Sequence, residues 1–100
     1  MNTVSLKLVT IIAERILKDR LTDAIRSLGA KGFTLTDVSG EGSRGVRASE
    51  WEGHNLKIET VVSSPVADAI VEHISERYFQ HHAVIVYTQD IQVIRGEKYI

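Results

Sequence analysis

Two hydrophobic periods alternate along this chain. Leu6 to Ile12 is apolar and β-branched, which predicts a buried strand. From Glu14 the period changes. Ala13, Ile16, Leu17, Leu21, Ala24, Ile25 and Leu28 recur at spacings of three and four, one face of a helix, and Gly29 supplies a left-handed cap that stops it. Phe33 to Val38 predicts a second strand, with Thr34 and Thr36 at alternate positions. Gly40 to His54 is glycine-rich and polar and has no period of its own. Leu56 to Val62 alternates at first, as a half-buried strand does. Ser64-Pro65 marks a helix start, a hydroxyl cap followed by proline in the first turn, with Asp68 near its positive end. Ala67, Ile70, Val71, Ile74 and Tyr78 form the stripe that this helix buries. Ala83 to Tyr87 predicts a fourth strand and Ile91 to Arg95 a short fifth, with the break at Gln89-Asp90.

This order predicts one α+β domain spanning residues 1–100, a ferredoxin-like βαββαβ arrangement with a short extra C-terminal strand. Both helices cover one face of an antiparallel sheet. The other face carries Val, Ile, Leu, Phe and Thr, and a bare, partly apolar sheet face predicts an oligomer.

Composition narrows the function. Twelve Lys and Arg against 13 Asp and Glu leave a net charge of -1, which argues against a duplex nucleic-acid binder. The chain has no cysteine, hence no thiolate nucleophile and no Cys-based zinc site. No apolar run approaches the ~20 residues of a membrane span, and the N-terminus lacks the basic region and cleavage site of a signal peptide, which predicts a cytoplasmic protein.

The segment richest in candidate chemistry is Gly40-Glu41-Gly42-Ser43-Arg44-Gly45-Val46-Arg47. Its glycines permit close backbone approach, Ser43 offers a hydroxyl, and Arg44 and Arg47 carry charged forks suited to phosphate oxygens. The alternative is a solvated flexible loop whose arginines face water. Trp51, between Glu50 and Glu52, suits a partner contact or folds back on its own subunit. His81 and His82, adjacent in sequence, make a poor chelate and read as surface or packing residues. No paired carboxylates and no nucleophile-base arrangement emerge from the spacing, so no catalytic residue and no metal site are assigned.

The stretches Gly29-Ala30-Lys31-Gly32-Phe33-Thr34 and Gly40 to Arg47 resemble the SbtB-type branch of the PII signalling family, where they read GAKGYT and GxGSRxVR. The resemblance spans nearly the whole chain. It implies a homotrimer with adenine nucleotides (cAMP, AMP, ADP or ATP) as regulatory ligands in the clefts between subunits. It also implies a partner, a membrane bicarbonate transporter of the SbtA type, and hence peripheral attachment to the plasma membrane. Thr36, Gly40, Gly42, Ser43, Arg44 and Arg47 would hold the phosphate side. Val86, Tyr87 and Thr88 would line the cleft wall near the adenine, and Arg95 would reach a phosphate in the adjacent site. Glu50, Trp51, Glu52 and His54 would meet the partner. Two departures stand out. The segment before the fourth strand is Gln80-His81-His82, without the glycines and lysines of better-known PII branches. The chain also has no cysteine for a redox-switched terminal hairpin.

Three other readings remain: a weak nucleotide phosphohydrolase, for which no general base is evident; an oligomeric module without a ligand; and RNA binding, disfavoured by the aliphatic strands and the slightly negative charge. Ordering one backbone residue costs about 1–2 kcal/mol. A hydrogen bond to a charged group returns only about 1.5–3 kcal/mol. Two arginines and a serine on a phosphate therefore fix the root of the long loop. Its tip, Ala48 to His54, stays mobile until a partner orders it.

Overall fold

The computed structural model describes residues 2–40 and 55–100. Four strands and two helices follow one another as β1 (Thr3–Glu14), α1 (Lys18–Ser27), β2 (Thr34–Val38), β3 (Asn55–Val62), α2 (Ser64–Tyr78) and β4 (Ile85–Ile94). The sheet order is β2-β3-β1-β4, and every pairing is antiparallel. Each helix thus belongs to a split βαβ unit whose missing middle strand comes from the other unit, the ferredoxin-like arrangement.

Register assigns the faces. Ile11 lies opposite Ile58 on one side and Val86 on the other, and Ala13 lies opposite Leu56. These residues face the helices and join Val9, Val62, Leu21, Ile25, Ala67, Ile70, Ile74 and Tyr78 in one core. Burying each large aliphatic side chain contributes about 1.5–3 kcal/mol. The opposite face carries Leu8, Thr10 and Ile12 of β1, Val61 of β3, and Ile85, Tyr87, Ile91 and Val93 of β4, with neither of the two described α-helices over them.

α1 ends as its sequence predicts. The Ala30 N–H donates to the Ile25 carbonyl at 2.9 Å and the Gly29 N–H to the Arg26 carbonyl at 3.1 Å. Gly29 has φ of 123°, and a Cβ there would meet Val66 Cγ2 at 3.0 Å. This is a Schellman motif, which needs glycine.

Several boundaries differ from the expectation. The first helix does not begin at Glu14, because Glu14 still pairs with Asn55 in the sheet. A 3-10 turn, Arg15–Leu17, intervenes and turns Ile16 outward, leaving it 74% exposed rather than in the buried stripe. Ser64 is the first helical residue of α2 and not its cap; Ser63 occupies that position, with no side-chain capping bond. The expected break at Gln89-Asp90 is absent and no fifth strand follows among the described residues. β4 runs through it because the polar residues there find partners on β1. Asp90 pairs with Lys7, and Gln92 donates to Ser5 Oγ at 2.8 Å and accepts from Thr3 Oγ1 at 3.1 Å.

After β4 the chain turns through Arg95, at φ 65°, into a 3-10 turn, Gly96–Tyr99. This tail lies against the start of β1. A Cβ on buried Gly96 would come within 2.6 Å of Val4 Cβ. The Lys31 ammonium donates to the Ile100 carbonyl and ties the tail to the approach to β2. Gly96→Ala is therefore expected to destabilise the protein by about 1–3 kcal/mol through overpacking. Urea denaturation checks this, and an unchanged midpoint would mean that the tail does not pack there.

Candidate functional site

β1 and β2 are parallel and end together. Val38 lies opposite Asn55, Asn55 opposite Glu14, and Ile12 opposite Ile85. One end of the sheet therefore collects the end of β1, the end of β2 with Gly40 beyond it, the start of β3, and the α2–β4 connection. Thr36 and Gly40 are both exposed at this end on the β2 edge. A Cβ on Gly40 would meet nothing within 4 Å among the described residues.

The other expected contacts lie elsewhere. Val86, Tyr87 and Thr88 sit on β4, the opposite edge of the sheet. Three strand spacings separate the two edges, roughly 14 Å. Tyr87 points to the helix-free face and is 43% exposed, so it is not a core aromatic of this chain. Val86 points the other way and packs on the core cluster, which leaves its backbone, not its side chain, available to a ligand. Thr88 is exposed on the helix side. Arg95 follows the end of β4 that pairs with Thr3, at the end of the sheet remote from Gly40. A single chain thus joins Thr36 with Gly40 but brings neither to Tyr87 nor to Arg95. Gly42, Ser43, Arg44, Arg47, Glu50, Trp51, Glu52 and His54 lie outside the described residues, as does the expected mobility of the loop tip.

Three features at this end had no distinct sequence signal. Asp37 pairs with the Arg15 guanidinium. The side-chain oxygen of Asn55 is buried without a hydrogen-bond partner among the described residues. Glu14 Oε2 accepts the Ala83 N–H at 3.1 Å and lies 3.4 Å from His82 Nδ1. The His82 ring also leans on Tyr78, 5.7 Å between centroids, while the Arg20 guanidinium lies 5.3 Å from the Tyr78 ring centre. His82 thus packs on Tyr78 and lies beside the Glu14 carboxylate, and His81 is exposed. Among the described residues no group of three or more His, Asp or Glu is placed to hold a metal ion. None of the described helices is long and apolar enough to cross a membrane.

The sequence model for nitrogen regulatory protein P-II matches residues 6–98. The chain belongs to the PII family. Nitrogen regulatory protein GlnK2 of Haloferax mediterranei is 33% identical over 86 residues, covering 75% of this chain and 68% of that protein. Among solved structures, a PII-like signaling protein of Thermus thermophilus superposes with a TM-score of 0.88 at 52% identity, over 100% of both chains. CPII of Thiomonas intermedia, solved bound to ADP, AMP and bicarbonate, superposes at 0.87 with 28% identity, over 98% of this chain and 96% of that one. This PII protein therefore keeps the family architecture while its α2–β4 connection is tied down by a carboxylate of its own β1.

The Arg15–Asp37 pair joins α1's approach to the β2 edge but is solvent-exposed, and exposed pairs contribute about 0–1 kcal/mol. Asp37→Asn is expected to change the unfolding free energy by less than about 1 kcal/mol. Chemical denaturation measures it; a larger loss would show that the pair holds the loop root in place.

Proposed function

We propose that this PII protein is an adenine-nucleotide-responsive signalling subunit of the SbtB type. It works as a homotrimer and controls a membrane bicarbonate transporter of the SbtA type, which holds it peripherally at the plasma membrane. The observation that carries the reading is the separation of its candidate contacts. Thr36 and Gly40 lie on one sheet edge and Tyr87 and Thr88 on the other. Neither edge is a complete site. A copy of the chain placed edge to edge brings the phosphate side of one subunit to the adenine side of the next, and Arg95 approaches only from a neighbour. The sheet face opposite the two described α-helices, with half-buried Leu8, Ile12, Ile91 and Val93, supplies apolar area for such an assembly.

The bound ADP, AMP and bicarbonate of CPII support adenine nucleotides as the ligand class and an inorganic-carbon signal as the context. The sequence GEGSRGVR from Gly40 supports the SbtB-type branch and, with it, cAMP and ATP as further ligands. Ser43, Arg44, Arg47 and the backbone near Gly40 and Gly42 then hold the phosphate. Glu50, Trp51, Glu52 and His54 meet the transporter. By linkage, the partner and its favoured nucleotide alter each other's affinity by the same factor.

Calorimetric titration of cAMP, AMP, ADP and ATP tests the reading. Saturable binding is expected, weakened about 100-fold or more in an Arg44→Ala, Arg47→Ala double variant, since each lost charged contact costs about tenfold or more. Absence of binding by all four nucleotides would overturn it.

A further inference from the structure

We propose that Lys57 and Glu59 of β3 set the register between copies of this chain, Lys57 of one subunit pairing with Glu59 of the partner subunit. The inference rests on the assembly proposed above and names the residues that specify it.

β3 alternates strictly. Leu56, Ile58, Thr60 and Val62 are buried on the helix side, so Lys57, Glu59 and Val61 face the other way. Both charged residues are half-buried, and their cross-strand neighbours are neutral. Lys57 lies between Ile12 of β1 and Thr36 of β2; Glu59 lies between Thr10 and Thr34. Two residues apart on one strand, their Cα atoms are separated by roughly 6.5 Å. The two side chains nevertheless do not join. Neither has an ion pair or a hydrogen bond among the described residues. Glu14, the other charged strand residue on this face, is by contrast engaged by the Ala83 N–H.

These two charges limit what covers the face. A neutral apolar partner would strip water from both and leave each without a counter-charge, which is costly. A second copy of the chain brings the same two side chains. Their signs are opposite and their places adjacent, so the face is complementary to itself: about a symmetry axis, the lysine of one copy meets the glutamate of the next. Half-buried Leu8, Ile12 and Val61 and exposed Tyr87 supply apolar contact around the pairs. A misregistered copy leaves both charges covered and unpaired. The pairs therefore select the register as well as the partner.

Charge exchange on the full chain tests this. The variants are Lys57→Glu, Glu59→Lys and the double swap that combines them. Light scattering after size-exclusion chromatography reads the oligomeric state, and circular dichroism reads the fold. The parent is expected to assemble. Each single swap is expected to dissociate, its dissociation constant raised roughly 100-fold or more by like charges placed face to face. The double swap restores opposite charges and is expected to assemble again. Isotope-labelled parent and unlabelled double swap are also refolded together and weighed by native mass spectrometry. Mixed oligomers are expected at no more than about a tenth of their statistical share, because every mixed contact sets like charges together. This mixing decides the matter even where a single swap unfolds. Single swaps that fold and assemble like the parent, a double swap that stays dissociated, or mixed oligomers at their statistical share would overturn the inference and leave the assembly standing. A monomeric parent would overturn both.

Discussion

The structure depends on the staggered pairing of β1. Its first part, Thr3 to Leu6, is paired only with β4, its last two residues only with β3, and the stretch from Lys7 to Ile12 with both. The stagger follows from sequence. Val9, Ile11 and Ala13 must face the helices together with Ile58, Leu56 and Val86, and a slip by one residue would turn every one of them outward. Once that register is set, both ends of β1 overhang. The upper overhang carries Glu14 past the start of β4, where it captures the Ala83 amide in place of a ladder bond. The lower overhang leaves Val4 and Leu6 without a β3 neighbour, and the Gly96–Tyr99 turn packs there instead.

The candidate site inherits this geometry. Because β2 and β4 are the two edges, Thr36 and Tyr87 are divided between them, with the width of the sheet in between. Edge strands present unpaired backbone groups and invite another chain. The same constraint that completes the core therefore leaves these candidate residues apart within one chain. In the proposed assembly, recognition and association would be one event. A ligand held between edges would stabilise the assembly, and the assembly would complete the ligand's surroundings.

Much of the fold was legible in the chain. Gly29 announced the end of α1 because only a residue at ease at positive φ closes a Schellman motif, and Ser64-Pro65 located the start of α2 to within a residue. The misreadings share a cause, which is that local polarity was taken for a boundary. Gln89-Asp90 looked like a turn, yet Asp90 is a strand residue answered by Lys7 across the sheet. Ile16 fitted the helical period, but the chain leaves the sheet through a tighter turn that rotates it outward. Of the candidate residues, Thr36 and Gly40 share the β2 edge, while Tyr87 lies on β4 and Arg95 just beyond it. The Glu14 contact with His82 and Ala83 joins residues nearly seventy positions apart, and no local pattern encodes it.

The strand order also governs how the molecule comes into being. β1 is made before the strands that it pairs with, and neither neighbour is available until residues 55–62 and then 85–94 have been made. Its most apolar stretch must wait, unpaired, until then. Pairings this distant in sequence are slow to form because loop-closure entropy is lost before any ladder contact compensates it. Early α1 offers only partial shelter, since the strand it packs against is incomplete without β3. The nascent chain thus carries an exposed β-branched segment until β4 arrives. This interval, rather than the stability of the finished fold, is when the chain is most open to association with other copies of itself.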